Sequence, residues 1–225
     1  MLPLMIFAAG KGTRMAPLTD HLPKPLIRVA GRSLLDRAID MGRDAGAGRI
    51  VVNTHYLGQQ IGDHLQGQDI ATSAEETLLE TGGGLRKALP LLGDGAVMTL
   101  NPDTIWTGPN PLNALQMAWD GQRMDALLML VARDRARGRI GPGDFSLDHT
   151  GRISRAGDFV YAGCQIIRPE RLAEIKTDVF SLNLLWDMMI AEGRAYGITH
   201  SGNWCDLGRP ETIPIAETML AEDVG

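Results

Sequence analysis

Two cations and two carboxylates, far apart in the chain, stand beside features that suit phosphate chemistry: Arg14, Lys24, Asp103 and Asp206. Arg14 closes a glycine-rich turn, Ala9-Gly10-Lys11-Gly12-Thr13-Arg14, that follows the apolar run Leu4–Ala8. A buried strand that ends in such a turn lets backbone amides approach an anion closely. Lys11, Arg14 and Lys24 add positive charge; the chain has four lysines in all, and two of them fall in this segment. Transfer of a phosphoryl or nucleotidyl group needs a hard cation to neutralise phosphate oxygens. Mg²⁺ is usually held by one or two carboxylates, with phosphates and water completing its shell. Asp103, in Asn101-Pro102-Asp103, is expected at the carboxyl end of the strand Val97–Leu100, where open α/β sheets place ligands. Asp206 precedes a helical segment. Each also has a plainer reading, a strand-end turn for Asp103 and a helix cap for Asp206.

Two well-known phosphate loops fail on this turn. A Walker loop needs glycine four residues before its Gly-Lys pair and Ser or Thr after it, where Met5 and Gly12 stand. A dinucleotide fingerprint needs a third glycine at Met15 and an acidic residue at Asn53. Pro17, Pro23 and Pro25 also forbid a helix directly after the turn.

The elements that must hold these residues are legible as alternating strands and helices. Leu4–Ala8, Ile50–Asn53, Val97–Leu100 and Ala126–Val131 are continuous apolar runs, the pattern of strands buried on both faces. Helical patterns lie at Ser33–Ala45, Leu57–Leu65 and Leu85–Leu92. The alternation predicts a mixed, mostly parallel sheet with helices on both faces, a Rossmann-like arrangement. After Arg133 shorter strands follow, Asp144–Asp148, Gly151–Arg155 and Phe159–Ile167, with Asp148-His149-Thr150-Gly151 as a hairpin connection. A helix over Leu182–Glu192, a strand near Asn203–Leu207 and a helix from Arg209 to Ala221 complete the reading. Residues 1–225 are expected to form one domain, with 133–165 as a small β lid or extension.

Composition narrows the function class. With 44% apolar and 22% charged residues the chain can bury a sizeable core. A net charge of −5 argues against a general nucleic-acid binder. Cys164 and Cys205 show no metal spacing and suggest reduced thiols in a cytoplasmic protein. The apolar opening lacks a charged start and is too short for a membrane span. The five histidines show no metal or triad spacing, and there is no G-x-S-x-G elbow.

Other segments are candidate ligand contacts. Glu80-Thr81-Gly82-Gly83-Gly84 opens a helix expected at Leu85, and free amides there could read carbonyl groups. Asn53 and His55 read as cap and packing residues. Asp144, in Gly143-Asp144-Phe145, could accept from ligand hydroxyls, or be a hairpin residue. Arg133, Arg135, Arg137 and Arg139 would share one face of a strand, as a solvated edge or as a phosphate-contacting lid.

Positions 8–25 resemble the signature of sugar-phosphate nucleotidyltransferases, roughly L-A-A-G-x-G-T-R-M-x-P-L-T followed by P-K-P. The late Trp204-Cys205-Asp206-Leu207-Gly208-Arg209-Pro210-Glu211 is similar to the family's W-x-D-x-G-T-P-E. The earlier N-G-D or G-D segment is replaced by Asn101-Pro102-Asp103. The resemblance implies that Ala9, Gly10, Lys11, Gly12, Thr13, Arg14, Lys24, Gly82, Gly83 and Asn101 bind nucleotide, and that Glu80, Thr81 and Asp144 bind sugar substrate. It implies Mg²⁺ on Asp103 and Asp206, with Arg14 and Lys24 neutralising phosphate charge. Compact size, E-T-G-G-G, G-D-F-S-L-D and the absence of an E-K-P segment look most like the N-acetylmuramate 1-phosphate uridylyltransferases of cell-wall recycling. The expected partners are a nucleoside triphosphate and a sugar 1-phosphate, with no nucleic acid and no membrane. Mannose 1-phosphate guanylyltransferase, transfer to a non-sugar phosphate and a non-catalytic nucleotide-binding module stay open at this point.

Overall fold

A computed structural model describes residues 1–223. In chain order the strands are β1 (Leu4–Phe7), β2 (Arg28–Val29), β3 (Arg32–Ser33), β4 (Ile50–Thr54), β5 (Ala71–Ala74), β6 (Val97–Leu100), β7 (Thr104–Trp106), β8 (Ala126–Ala132), β9 (Ala136–Arg137), β10 (Phe145–Leu147), β11 (Ile153–Arg155), β12 (Phe159–Ile167), β13 (Ala195–Thr199) and β14 (Trp204–Asp206). The helices are α1 (Leu34–Asp44), α2 (Gly58–Leu65), α3 (Glu80–Leu92), α4 (Pro111–Ala118), α5 (Asn183–Ala191) and α6 (Thr212–Asp223).

The main sheet runs β5-β4-β1-β6-β12-β8-β13. Only β12 runs against its neighbours, pairing antiparallel with β6 and β8, while the remaining pairs are parallel. Alternate residues of β1 feed two cores, as the two-residue period of a strand requires. Leu4 and Ile6 pack with Leu35 and Ile39 of α1, Ile61 of α2 and Leu115 of α4. Met5 packs on the opposite face with Leu85 of α3 and Leu185 of α5. Helices therefore cover both faces, as the continuous apolar strands implied.

Within residues 133–165, the hairpin β10–β11 extends outward and joins the sheet through Phe145 against Phe159. Its turn is the expected Asp148–Gly151: the Asp148 carboxylate accepts from Thr150 N at 2.8 Å and Arg152 N at 3.0 Å. The rest of that interval includes most of β12, which runs through the middle of the sheet. The four arginines do not share a strand face, because Arg133–Arg135 form a 3-10 turn and β9 holds two residues.

A second, three-stranded sheet has the order β7-β14-β9. Behind it lies a third core: Met15, Ile27, Val29, Leu34, Ile105, Cys205, Leu207, and Ala216 and Met219 of α6. This cluster matters for position. Met15 adjoins Arg14, Ile27 follows the Lys24 turn, Ile105 lies two residues past Asp103, and Cys205 and Leu207 flank Asp206. One apolar cluster therefore anchors the backbone beside all four ionisable residues singled out above.

Candidate active site

The glycine turn is shaped by contact as much as by flexibility. Gly12 has φ +63°, and a Cβ there would lie 2.9 Å from Cβ of Lys24. Glycine alone meets both demands without strain. The turn thereby packs against Lys24, which is 9% exposed. Among the described residues, nothing accepts a hydrogen bond from the amides of Gly10, Lys11 and Gly12. Those donors are available to an anion.

The two carboxylates meet across the small sheet. β7 and β14 pair antiparallel with Thr104 opposite Asp206, and the amide of Leu207 donates to the carbonyl of Asp103 at 3.0 Å. Lys24 Nζ lies 2.5 Å from Asp103 Oδ2. A Cβ on Gly208 would be 3.3 Å from an Arg14 guanidinium nitrogen and 3.4 Å from Asp206 Oδ2, so arginine and aspartate flank the same glycine. Burial, then the charge of Asp103, push the Asp206 carboxyl above its ordinary value, while Lys24, Arg14 and Arg139 pull it down. The cap reading of Asp206 fails, since α6 begins six residues later. Pro102 is buried, and the turn it sits in still carries Asp103 to Lys24.

A cavity of about 430 Å³ opens from this point, lined by Ala9, Gly10, Gly12, Thr13, Arg14, Lys24, Glu80, Thr81, Asn101 and Asp103, among others. Its size suits a nucleotide-scale ligand. Most of the residues expected to bind nucleotide or substrate therefore converge here. The Lys11 side chain does not line it, and Lys11 is exposed.

Gly82 and Gly83 do not present free amides, which corrects the expectation from sequence. They lie inside α3, and both amides donate to the Phe180 carbonyl, at 2.9 and 3.1 Å. A side chain at Gly82 would strike the Phe180 ring, and one at Gly83 the Asp178 carbonyl. The run of glycines lets the 178–182 segment pack on the helix. Asp144 is likewise engaged, with Oδ1 on Arg139 at 3.1 Å and Oδ2 accepting from Tyr161 N at 2.9 Å. It does not line the cavity.

Sequence reasoning missed Glu75. Its carboxylate is 5% exposed, lines the cavity, and accepts from Asn53 Nδ2 at 2.7 Å and Leu79 N at 2.9 Å. Asn53 Oδ1 in turn accepts from the amide of Ala8 at 2.7 Å. The network ties the start of the glycine turn to the 75–80 segment. Gly84 makes room for it, since a Cβ there would lie 2.7 Å from Glu75 Oε1. Ser181 also lines the cavity and carried no motif. His55 is a packing residue as read, with Nδ1 2.9 Å from the Glu75 carbonyl, whereas Asn53 lines the cavity through that network.

No helix among the described residues is long and apolar enough to cross a membrane. Residues 4–177 match the MobA-like NTP transferase domain. An N-acetylmuramate alpha-1-phosphate uridylyltransferase of Caulobacter vibrioides is 39% identical, over 97% of this chain and 96% of its own. One of Neisseria meningitidis serogroup B is 37% identical, over 91% and 92%. Among solved structures, HddC from Yersinia pseudotuberculosis complexed with GMP-PN has a TM-score of 0.79 at 20% identity, covering 98% of this chain and 100% of that one. A putative glucose-1-phosphate thymidylyltransferase from Bacillus anthracis has a TM-score of 0.82 at 15% identity, covering 100% and 97%. These two establish the fold, and the matches in sequence establish the rest: the chain belongs to the MobA-like NTP transferase family and is a nucleotidyltransferase.

Proposed function

We propose that the chain transfers a nucleotidyl group from UTP to N-acetylmuramate 1-phosphate, releasing pyrophosphate, with Mg²⁺ held by Asp103 and Asp206. The juxtaposition of those carboxylates with Lys24 and Arg14, beside the open amides of the glycine turn, carries the reaction class. The two relatives at 39% and 37% identity carry the choice of substrates.

The donor set fits a hard cation. The charge of Asp103 opposes ionisation of Asp206, and a divalent ion would relieve that opposition. Among the described residues no group of three or more His, Cys, Asp or Glu could hold a metal, so phosphate oxygens and water would supply the other ligands. When bound, the ion supplies charge neutralisation on phosphate oxygens.

The acceptor phosphate is already ionised at neutral pH, so its oxygen attacks the α-phosphorus without a general base. The new oxygen–phosphorus bond forms as the bond to the α–β bridging oxygen breaks. That oxygen keeps the electron pair and leaves in pyrophosphate. Lys24 and Arg14 hold positive charge where negative charge accumulates, and the buried setting of Lys24 strengthens its effect. The glycine turn and the Glu75–Asn53 network fix the nucleotide, so catalysis rests on position and charge. A cytoplasmic setting belongs to this reading, since Cys164 and Cys205 are both free and buried.

The test is release of pyrophosphate from a panel of triphosphates and sugar 1-phosphates with Mg²⁺. UTP with N-acetylmuramate 1-phosphate should react fastest. A faster reaction of GTP with mannose 1-phosphate would overturn the substrate assignment. Nucleotide binding with no pyrophosphate from any pair would leave a non-catalytic module.

A further inference from the structure

The reaction proposed above brings together two phosphorylated substrates, and a phosphate monoester alone carries about −1.5 to −2 charges at neutral pH. Lys24 and Arg14 both line the cavity with the glycine turn. A third cation, Arg139, lies outside that lining and follows the strand that pairs with the one carrying Asp206.

The four arginines between 133 and 139 differ in what they touch. Arg135 donates to the carbonyls of Ser201 and Gly202, and Arg137 pairs with Glu222. Arg139 instead follows directly on a glycine that packs against the backbone of Asp206. β9 pairs parallel with β14, Cys205 opposite Arg137, and delivers Gly138 onto Asp206. Gly138 has φ +73°, and a Cβ there would lie 2.5 Å from the Asp206 carbonyl oxygen. Glycine is required at 138, and the chain then continues directly into Arg139. In the strand order β7-β14-β9, Asp206 lies between Asp103 at the β7 side and Arg139 at the β9 side.

Asp144 holds this arginine in place. One carboxylate oxygen is pinned to the β12 backbone at Tyr161 N, the Asp144 amide donates to the Phe159 carbonyl at 2.7 Å, and the other oxygen faces Arg139. Both side chains remain about a third exposed, at 33% and 31%. A guanidinium has five N–H donors in a planar fork. The bond to Asp144 uses one of them and leaves the rest to a tetrahedral anion.

We propose that Arg139 binds the phosphate of the acceptor sugar 1-phosphate, and that Asp144 is the positioning residue that aims it. The assignment to the acceptor follows from side: the glycine turn, Lys24 and Arg14 serve the triphosphate, and Arg139 enters from the strand on the far side of Asp206. It rests on the reaction proposed above.

The experiment is steady-state kinetics of pyrophosphate release for wild type, Arg139→Ala, Arg139→Lys and Asp144→Asn, varying each substrate separately. Arg139→Ala should raise KM for the sugar 1-phosphate about 10- to 100-fold and leave KM for the triphosphate within about 2-fold, the size of losing one charge-assisted contact. Arg139→Lys should recover part of that loss, and Asp144→Asn should raise the same KM by less. An unchanged acceptor KM in a folded Arg139→Ala protein, or a rise confined to the triphosphate, would overturn the inference. So would a drop in thermal stability with a lower kcat and no change in KM. If wild type releases no pyrophosphate with any sugar phosphate, the underlying reaction fails instead, and the two failures are told apart.

Discussion

The ammonium of Lys24 lies 2.5 Å from a carboxylate oxygen of Asp103, 79 residues away in the chain. This ion pair links the proline-flanked turn to the carboxyl end of β6, and both residues line the same cavity. Lys24→Ala removes the cation and leaves Asp103 without its partner. It should lower kcat by several orders of magnitude while circular dichroism stays close to wild type. Kinetics within 10-fold of wild type would remove Lys24 from the mechanism.

Asp206 works against the stability of the fold. Its carboxyl is raised in the folded state by burial and by Asp103, so the folded chain binds the proton more tightly than the unfolded chain. Its contribution to stability is therefore present below the ordinary carboxylate value and is lost as pH rises through the raised one. At neutral pH the ionised group is a cost that Asp206→Asn removes. The variant should melt a few degrees higher at pH 7, with the difference shrinking toward pH 4, and should show no turnover. A lower melting temperature at pH 7 would contradict the direction of the shift.

Glu80 holds a left-handed backbone, φ +60°, at the first turn of α3, with its side chain in the cavity lining. Such a conformation costs a non-glycine residue about 1–2 kcal/mol, and strain of this kind clusters at ligand sites. Our hypothesis is that its carboxylate contacts substrate. Glu80→Gly should then raise the melting temperature by about 2–4 °C and raise KM for one substrate. Higher stability with unchanged kinetics would leave Glu80 without a role in binding.

Met219 is fully buried in the cluster beneath the small sheet and lies thirteen residues past Asp206. Met219→Ala should cost about 2–5 kcal/mol of stability. Because the same cluster anchors the backbone beside Arg14, Lys24, Asp103 and Asp206, kcat should fall as well, measured below the melting transition. Full kcat in the destabilised variant would separate the cluster from catalysis.

What the sequence disclosed follows from range. The glycine turn, the P-K-P segment and the W-C-D-L-G segment each carry their chemistry within a few consecutive residues. The main strands are continuous apolar runs, so β6 and β12 lie where they were expected. The hidden parts depend on distant partners. β5 is Ala-Thr-Ser-Ala, with too little apolar surface to read as a strand, and Glu75 at its end gave no sign of being buried. β7 and α4 are short and left no clear period. The sequence places the three glycines at 82–84 ahead of a helix starting at Leu85, because each costs a helix about 1 kcal/mol in isolation. Phe180 and Asp178 packed on them change that outcome. Arg139 was one of four similar residues until β9 paired with β14.

The antiparallel pairing of β7 with β14 also sets an order of assembly. The glycine turn, Lys24 and Asp103 all lie in the first half of the chain, whereas the second carboxylate arrives only at residue 206. Until β14 pairs with β7, the glycine turn, Lys24 and Asp103 form a cradle whose aspartate lacks the second carboxylate of the proposed metal site. On the proposed mechanism, turnover would begin only once β14 has docked beside β7.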